Sequence, residues 1–520
     1  MADEDFRTPS TPAEEALLAA VTENGRALLS EALPDEAVPK VTVRAGYIRH
    51  LLMAEDSPLR GRGLRLRGAW ISGMIDLHGV DCPRDITLRD CVLDEPLDLV
   101  NASLRGLHLT NVRLRGLAAD NAKFSGSVYL RDGTASDREI SLAGARIGGD
   151  LQLCGAEFRS ESQDAVFAPS LQVEGSIYLG NYPFSEGVTT LVAQGTLFFA
   201  SAIAGHDIFV TNTSVSVNEG IVGSVFGATE EHGPGIAISL GRARIGGILY
   251  FDDNQIGQGI VNLAGATCAR FKDEPTGPGA NYPIRLDGFR YGDFSRHAET
   301  DVQQRLDWLK RRPEETPFTA QPYEHLANVL RGLGHRDDAN RVLIEKERLM
   351  RRADLELIRR ERGHSLEWGL TGFWNGFLRM TVGYGYHPAR AVVIALLLIA
   401  GLGLFFEKTW DAGDMAPNLA PILVSANWVA ATESHPENPA AYWSQPGQAG
   451  QDYETFNGLA YAADLVLPVI NLGQENAWAP STSRSDWGRA GWWIRWFAKG
   501  IGWVVAALVA AAITGVIRKE

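Results

Sequence analysis

The sequence predicts a multidomain, mainly β chain: a β-solenoid, then an α-helical hairpin, then two transmembrane helices. Three observations lead there. Apolar residues recur in pairs every five positions over residues 97–124, and uncharged, mostly apolar runs occupy 391–406 and 500–517. A period of five fits neither the 3.6 of a helix nor the 2 of a strand, and runs of that length suit a bilayer.

Composition sets the outer bounds. A chain of 520 residues is too long for one core, so several domains are expected. With 45% hydrophobic and 22% charged residues it has the balance of a folded protein rather than a disordered one. A formal charge of −14 speaks against a nucleic-acid partner, since phosphate recognition needs a basic surface. The four cysteines (Cys82, Cys91, Cys154 and Cys268) are far apart, which suits neither a disulfide framework nor a zinc site.

Residues 1–58 are read as an N-terminal helical cap. The acidic start lacks a basic or apolar leader, so no signal peptide is expected. Leu17, Leu18, Val21, Leu28 and Leu29 have helical spacing within residues 12–32.

Residues 59–297 carry the repeat. Its strict pairs are Leu97 with Leu99, Ala102 with Leu104, Leu107 with Leu109, Val112 with Leu114, Leu117 with Ala119, and Ala122 with Phe124. A chain that turns every five residues would point each pair inward and leave Asn101, Arg105, Asn111, Arg113, Arg115 and Asp120 in water. A longer recurrence, small residues followed by a short apolar alternation, begins at Gly68, Gly144 and Ala243, with a looser copy at Leu171. Beyond residue 160 the pattern decays, and irregular rungs or inserted loops are expected. These residues resemble a pentapeptide-repeat right-handed β-helix, strictly over 97–124 and loosely over the rest. The competing fold is a β-sandwich with glycine-rich turns.

Residues 298–365 read as a helical hairpin adaptor. Residues 322–331 and 337–344 resemble a single tetratricopeptide-like helix pair, too short for a binding array. The second helix is basic, with Arg341, Lys346, Arg348, Arg351, Arg352, Arg359, Arg360 and Arg362. Next come an interfacial segment (366–390), the first transmembrane helix (391–406), an extracytoplasmic loop (407–490), and an aromatic belt with the second transmembrane helix (491–518). The basic residues of 341–390 and the final Arg518 and Lys519 put both termini in the cytoplasm by the positive-inside rule, although Arg484, Arg489, Arg495 and Lys499 lie on the other side. The apolar, proline-broken run 459–472 either lies in the interface or dips in and returns.

Three sets of residues stand out as candidate sites. Glu161, Asp164, Glu174, Glu186, Asp207 and Glu219, with Glu230 and Glu231, form an acidic stretch free of Lys and Arg. Arg60, Arg62, Arg65 and Arg67 make the first rungs basic. The acidic set suggests a surface for a basic protein partner or end-to-end self-association. Thr381, Val382, Gly383, Tyr384 and Gly385 match a potassium-channel selectivity filter, but precede the first apolar run instead of lying between two. Ala507, Ala511 and Gly515 make a small-residue stripe for helix association, or for packing on the chain's own first span.

No catalytic, cofactor or metal constellation is found: P-loop, G-x-S-x-G and H-E-x-x-H are absent, and the eleven histidines are scattered. The architecture resembles bacterial proteins loosely labelled membrane-associated oxidoreductases, but no motif supports redox chemistry, so no enzyme is expected. The expected function is a membrane-anchored, non-catalytic scaffold or sensor at the inner face of a bacterial cytoplasmic membrane. Its expected partners are membrane lipids, an unidentified protein and further copies of itself. The alternative is an effector or ion channel whose assembled helices alter permeability.

Overall fold

The computed structural model describes residues 6–23, 25–59, 63–217, 235–257, 259–277, 279–314 and 316–513. The chain divides into two units, Met1–Lys346 and Glu347–Glu520.

In the first unit the five-residue frame sets which side chains are inside. All twelve members of the strict apolar pairs are buried, while Asn101, Arg105, Arg113 and Arg115 are exposed. Bends between the pairs use residues in the left-handed region, with Asn101, Asn111 and Asn121 at φ 57°, 50° and 56°. Asparagine tolerates that conformation better than other residues with a Cβ. The short strands between bends pair only in parallel, giving one sheet of 15 strands and one of 16.

Register is continuous along the first sheet. Leu64, Ile86, Leu107, Val128, Leu151, Ile177, Ile208, Leu249 and Phe271 face one another in succession, and all are buried. A side-chain ladder follows the same order at one corner. Ser127 accepts from the Asp150 amide, Asp150 from Ser176, Ser176 from Asp207 and Asp207 from Ile248, over separations of 23, 26, 31 and 41 residues. The growing intervals are the decay expected beyond residue 160. They reflect a bulge between Arg159 and Val166 and a loop after Gly180.

Both ends of the first sheet are covered. At the start, the helices Pro12–Glu23 and Ala45–Met53 pack on the first strands. Glu14, fully buried, accepts from the Arg44 amide and side chain at 2.9 Å and from the Ser10 amide at 2.7 Å. At the other end the helix Gln321–Gly332 supplies side chains where a further strand would supply backbone. Gln321 accepts from the Gly288 amide at 2.7 Å and donates to the Phe289 carbonyl at 3.3 Å, and His325 Nε2 lies 3.0 Å from the Tyr291 amide. Arg305 is buried against Asp273 at 2.6 Å, with its guanidinium 4.4 Å from the Phe294 ring.

The second unit is helical. Helix Leu366–Thr381, capped by Ser365, leads through a tight turn to the long apolar helix Pro388–Asp411. The segment beyond it folds around Trp428, Trp443 and Trp478, and the strands Met415–Pro417 and Trp478–Pro480 pair antiparallel. Helices Gly458–Val466 and Asp486–Ile513 complete the unit. With 13 α-helices among the described residues, the whole chain is mixed α/β rather than mainly β.

Candidate functional site between the two apolar helices

Both long helices are apolar and mostly uncovered. Each has a stretch long and apolar enough to cross a membrane, Ala389–Asp411 and Asp486–Ala511, with 17% of the most apolar part of each buried. The first is longer than the sixteen apolar residues suggested, because Pro388 starts it and Glu407 to Asp411 continue it.

Glycines on the two helices admit a third element between them. Asn457 caps the helix Gly458–Val466 by accepting from the Ala460 amide at 2.9 Å. The Gly458 amide donates to Glu407 at 2.9 Å. A Cβ on Gly403 would come within 2.6 Å of the Leu459 side chain, and one on Gly502 within 2.5 Å of the Val466 carbonyl. At its far end Val466 packs with Ala395 and Val505. Pro468 disfavours helical geometry at Leu467, so the helix stops there and the chain turns, with the Ile470 amide donating to Leu467 at 3.0 Å.

Charged side chains hold the return leg. Asp464, only 8% exposed, accepts from the Leu472 amide with one oxygen and from the Glu475 amide with the other, the second at 3.1 Å. Glu475 in turn pairs with Arg495 at 2.7 Å and with Lys499, both on the second long helix. Gln474 ties the base of the hairpin to Thr455 at 2.8 Å and Asn457 at 3.0 Å. A cavity of about 220 Å3 opens beside this network, lined by Asp464, Asn471, Glu475, Asn476, Lys499 and Trp503.

Comparison with protein-family models, curated proteins and solved structures finds no match to this chain. What the site can do therefore rests on its own geometry.

The filter-like pentamer forms a turn with Gly383, Tyr384 and Gly385 all at positive φ. The Val382 carbonyl accepts from the Gly385 and His387 amides and the Gly383 carbonyl from Tyr386. Tyr384 is buried beneath the Arg351 guanidinium, 4.9 Å from its ring centre. Those two carbonyls are thus engaged in the turn.

The described members of the acidic set differ in burial. Glu161, Glu174 and Glu186 are exposed, but Asp164 is buried, and Asp207 is drawn into the corner ladder beside Glu174. Glu219 lies outside the described residues, as do Glu230, Glu231, Arg60, Arg62, Arg518 and Lys519. On the second long helix, Ala507 is exposed and Ala511 half-buried, and Gly515 is outside the described residues. The buried residues of this stretch are instead Gly502, Val505 and Leu508.

Among the described residues no cluster of His, Cys, Asp and Glu could hold a metal ion. The four cysteines are buried and free, and burial pushes the Cys91, Cys154 and Cys268 thiols up to about 12. A groove of about 370 Å3 on the second sheet is lined by Trp70, Asp94, Arg113, Arg115, Asp137 and Glu157. Much of its charge is internally matched, Arg115 to Asp137 at 3.2 Å and Trp70 to Asp94 at 3.3 Å.

The hairpin with Asp464, Glu475, Arg495 and Lys499 is what sequence reasoning missed as a site. The available signal was a single aspartate inside the apolar, proline-broken run 459–472, followed by basic residues on the wrong side of the second span.

Proposed function

We propose that this chain is an integral membrane protein that holds a β-solenoid at the inner face of a bacterial cytoplasmic membrane. There it serves as a non-catalytic platform for a protein partner or for self-assembly. The carrying observation is the pair of long helices whose apolar side chains are left uncovered. Leu396, Leu397, Leu404, Trp493, Phe497 and Trp503 are all more than half exposed, large apolar side chains that lipid would cover. Helix Leu366–Thr381 fits an interfacial position, with Leu366, Phe373 and Met380 exposed.

The orientation also gains support. The basic residues that conflicted with the positive-inside rule have local partners: Arg489 pairs with Asp486, Arg495 and Lys499 with Glu475, and Arg484 donates to the Met415 carbonyl at 3.1 Å. The solenoid reading draws on the parallel register from Leu64 to Phe271 and on the repeated left-handed corners. A right-handed winding is the sense such parallel crossovers take.

Membrane fractionation tests the reading. The protein should stay with membranes through high salt and alkaline carbonate and be released by detergent. Release by salt alone would sink it.

A further inference from the structure

We infer that the hairpin of residues 458–473 is a pore loop, whose tip lines a water-filled path for monovalent cations between copies of this chain. The inference rests on the membrane reading above and goes beyond anchoring.

Depth comes first. The helix Gly458–Val466 has nine residues and so descends about 13 Å, close to half of a ~30 Å hydrocarbon core. Measured along the first apolar helix, its contacts run from Glu407 near one end to Ala395, past the middle and toward the other.

The backbone of the tip then decides what must surround it. Irregular backbone at such depth is tolerated only where protein buries it or where it borders water. Within a single chain neither holds: Val469 is 91% exposed, and Ile470, Asn471 and Leu472 are exposed beside it. Among the described residues, the amides of Val469 and Asn471 find no acceptor, and the carbonyls of Pro468, Val469, Ile470 and Asn471 find no donor. Facing lipid, these groups would each cost several kcal/mol. Facing water between neighbouring copies, they are satisfied.

Charge selects the permeant ion. The carboxyl end of a helix carries partial negative charge, and here that end points into the bilayer. Four successive free carbonyls lie at the same end; Asp464 is engaged by the Leu472 and Glu475 amides, and Lys499 beside the cavity is paired with Glu475. Carbonyl oxygens in this setting replace the hydration shell of a cation. The loop is also held for the purpose, by the glycine contacts on both sides and by the Asp464 clamp. By contrast, two carbonyls of the Thr381–Gly385 turn are already engaged.

The test uses the full chain purified and reconstituted in liposomes, with insertion checked by flotation. Wild type should pass potassium and exclude chloride. Val469→Cys should conduct until a charged, membrane-impermeant thiol reagent is added, and then lose its flux; the four native cysteines are buried and give no background. Val393→Cys, exposed on the outer flank of the first apolar helix, should keep its flux. Inserted protein without cation flux, equal potassium and chloride flux, or a Val469→Cys flux indifferent to the reagent would each overturn the proposal. Protein that fails to float with the vesicles would overturn the membrane reading as well.

Discussion

At the corner that follows the strand Ser103–Thr110, Asn111 sits at φ 50° and its amide group donates to Asp90 at 2.7 Å. The residue does two jobs, accepting a left-handed backbone and bonding to the corner beside it. Asn111→Ala should therefore cost about 1–2 kcal/mol through the backbone alone, and Asn111→Gly distinctly less, in thermal unfolding of the detergent-solubilised protein. Two residues back, Leu109 lies fully buried between Leu88 and Leu130. Leu109→Asp would put a charge where no partner exists and should cost about 4 kcal/mol or more. Arg113→Asp, outward in the same frame, should stay within about 0.5 kcal/mol. Equal damage from both would mean that the five-residue frame is misassigned.

Among the elements, the cap made by helix Gln321–Gly332 carries a buried imidazole. His325 Nε2 lies 3.0 Å from both the amide and the carbonyl of Tyr291, accepting from the first when unprotonated and donating to the second when protonated. Burial holds His325 below its usual pKa, against the opposing pull of the Tyr291 backbone. The unfolded chain thus takes up the proton first. This contribution to stability is present above the unfolded value of about 6.5 and is lost as pH falls below it. Melting temperature should drop between pH 7 and 5.5, and His325→Gln, which cannot titrate, should flatten that part of the slope. The apolar helices give a second comparison. Gly403→Leu and Gly502→Leu both collide with the hairpin and should lower the melting temperature in detergent. Gly401→Leu, with open space beside it, should leave it unchanged.

For the molecule as a whole, the proposed orientation would put the loop between the two apolar helices outside and residues near 200 inside. Cysteines introduced at 435–445 should react with an impermeant reagent on intact cells, and cysteines near residue 200 should react only after lysis. Labelling near 200 in intact cells would invert the topology. The tryptophan-rich fold between the two apolar helices also changes what that segment is. It is an ordered domain built on Trp428, Trp443 and Trp478, from which the hairpin descends.

Much of this was legible in the chain itself. The inward pairs, the loosening after residue 160 and the two apolar helices follow from local periodicity and hydropathy, which each stretch of sequence carries by itself. Corner asparagines at 101, 111 and 121 were equally visible, one every ten residues, although their left-handed geometry was not. The edge caps depended on contacts across more than thirty residues, as between Gln321 and Gly288. The hairpin depended on longer ones still, Gly458 meeting Glu407 across 51 positions. Run 459–472 reads as a weak, proline-broken apolar segment until Gly403 and Gly502 are seen to make room for it. Asp464 reads as a misplaced charge until the return leg brings two amides to it. Periodicity records which side of an element is buried; only tertiary structure decides what a polar group inside an apolar run will find to bond.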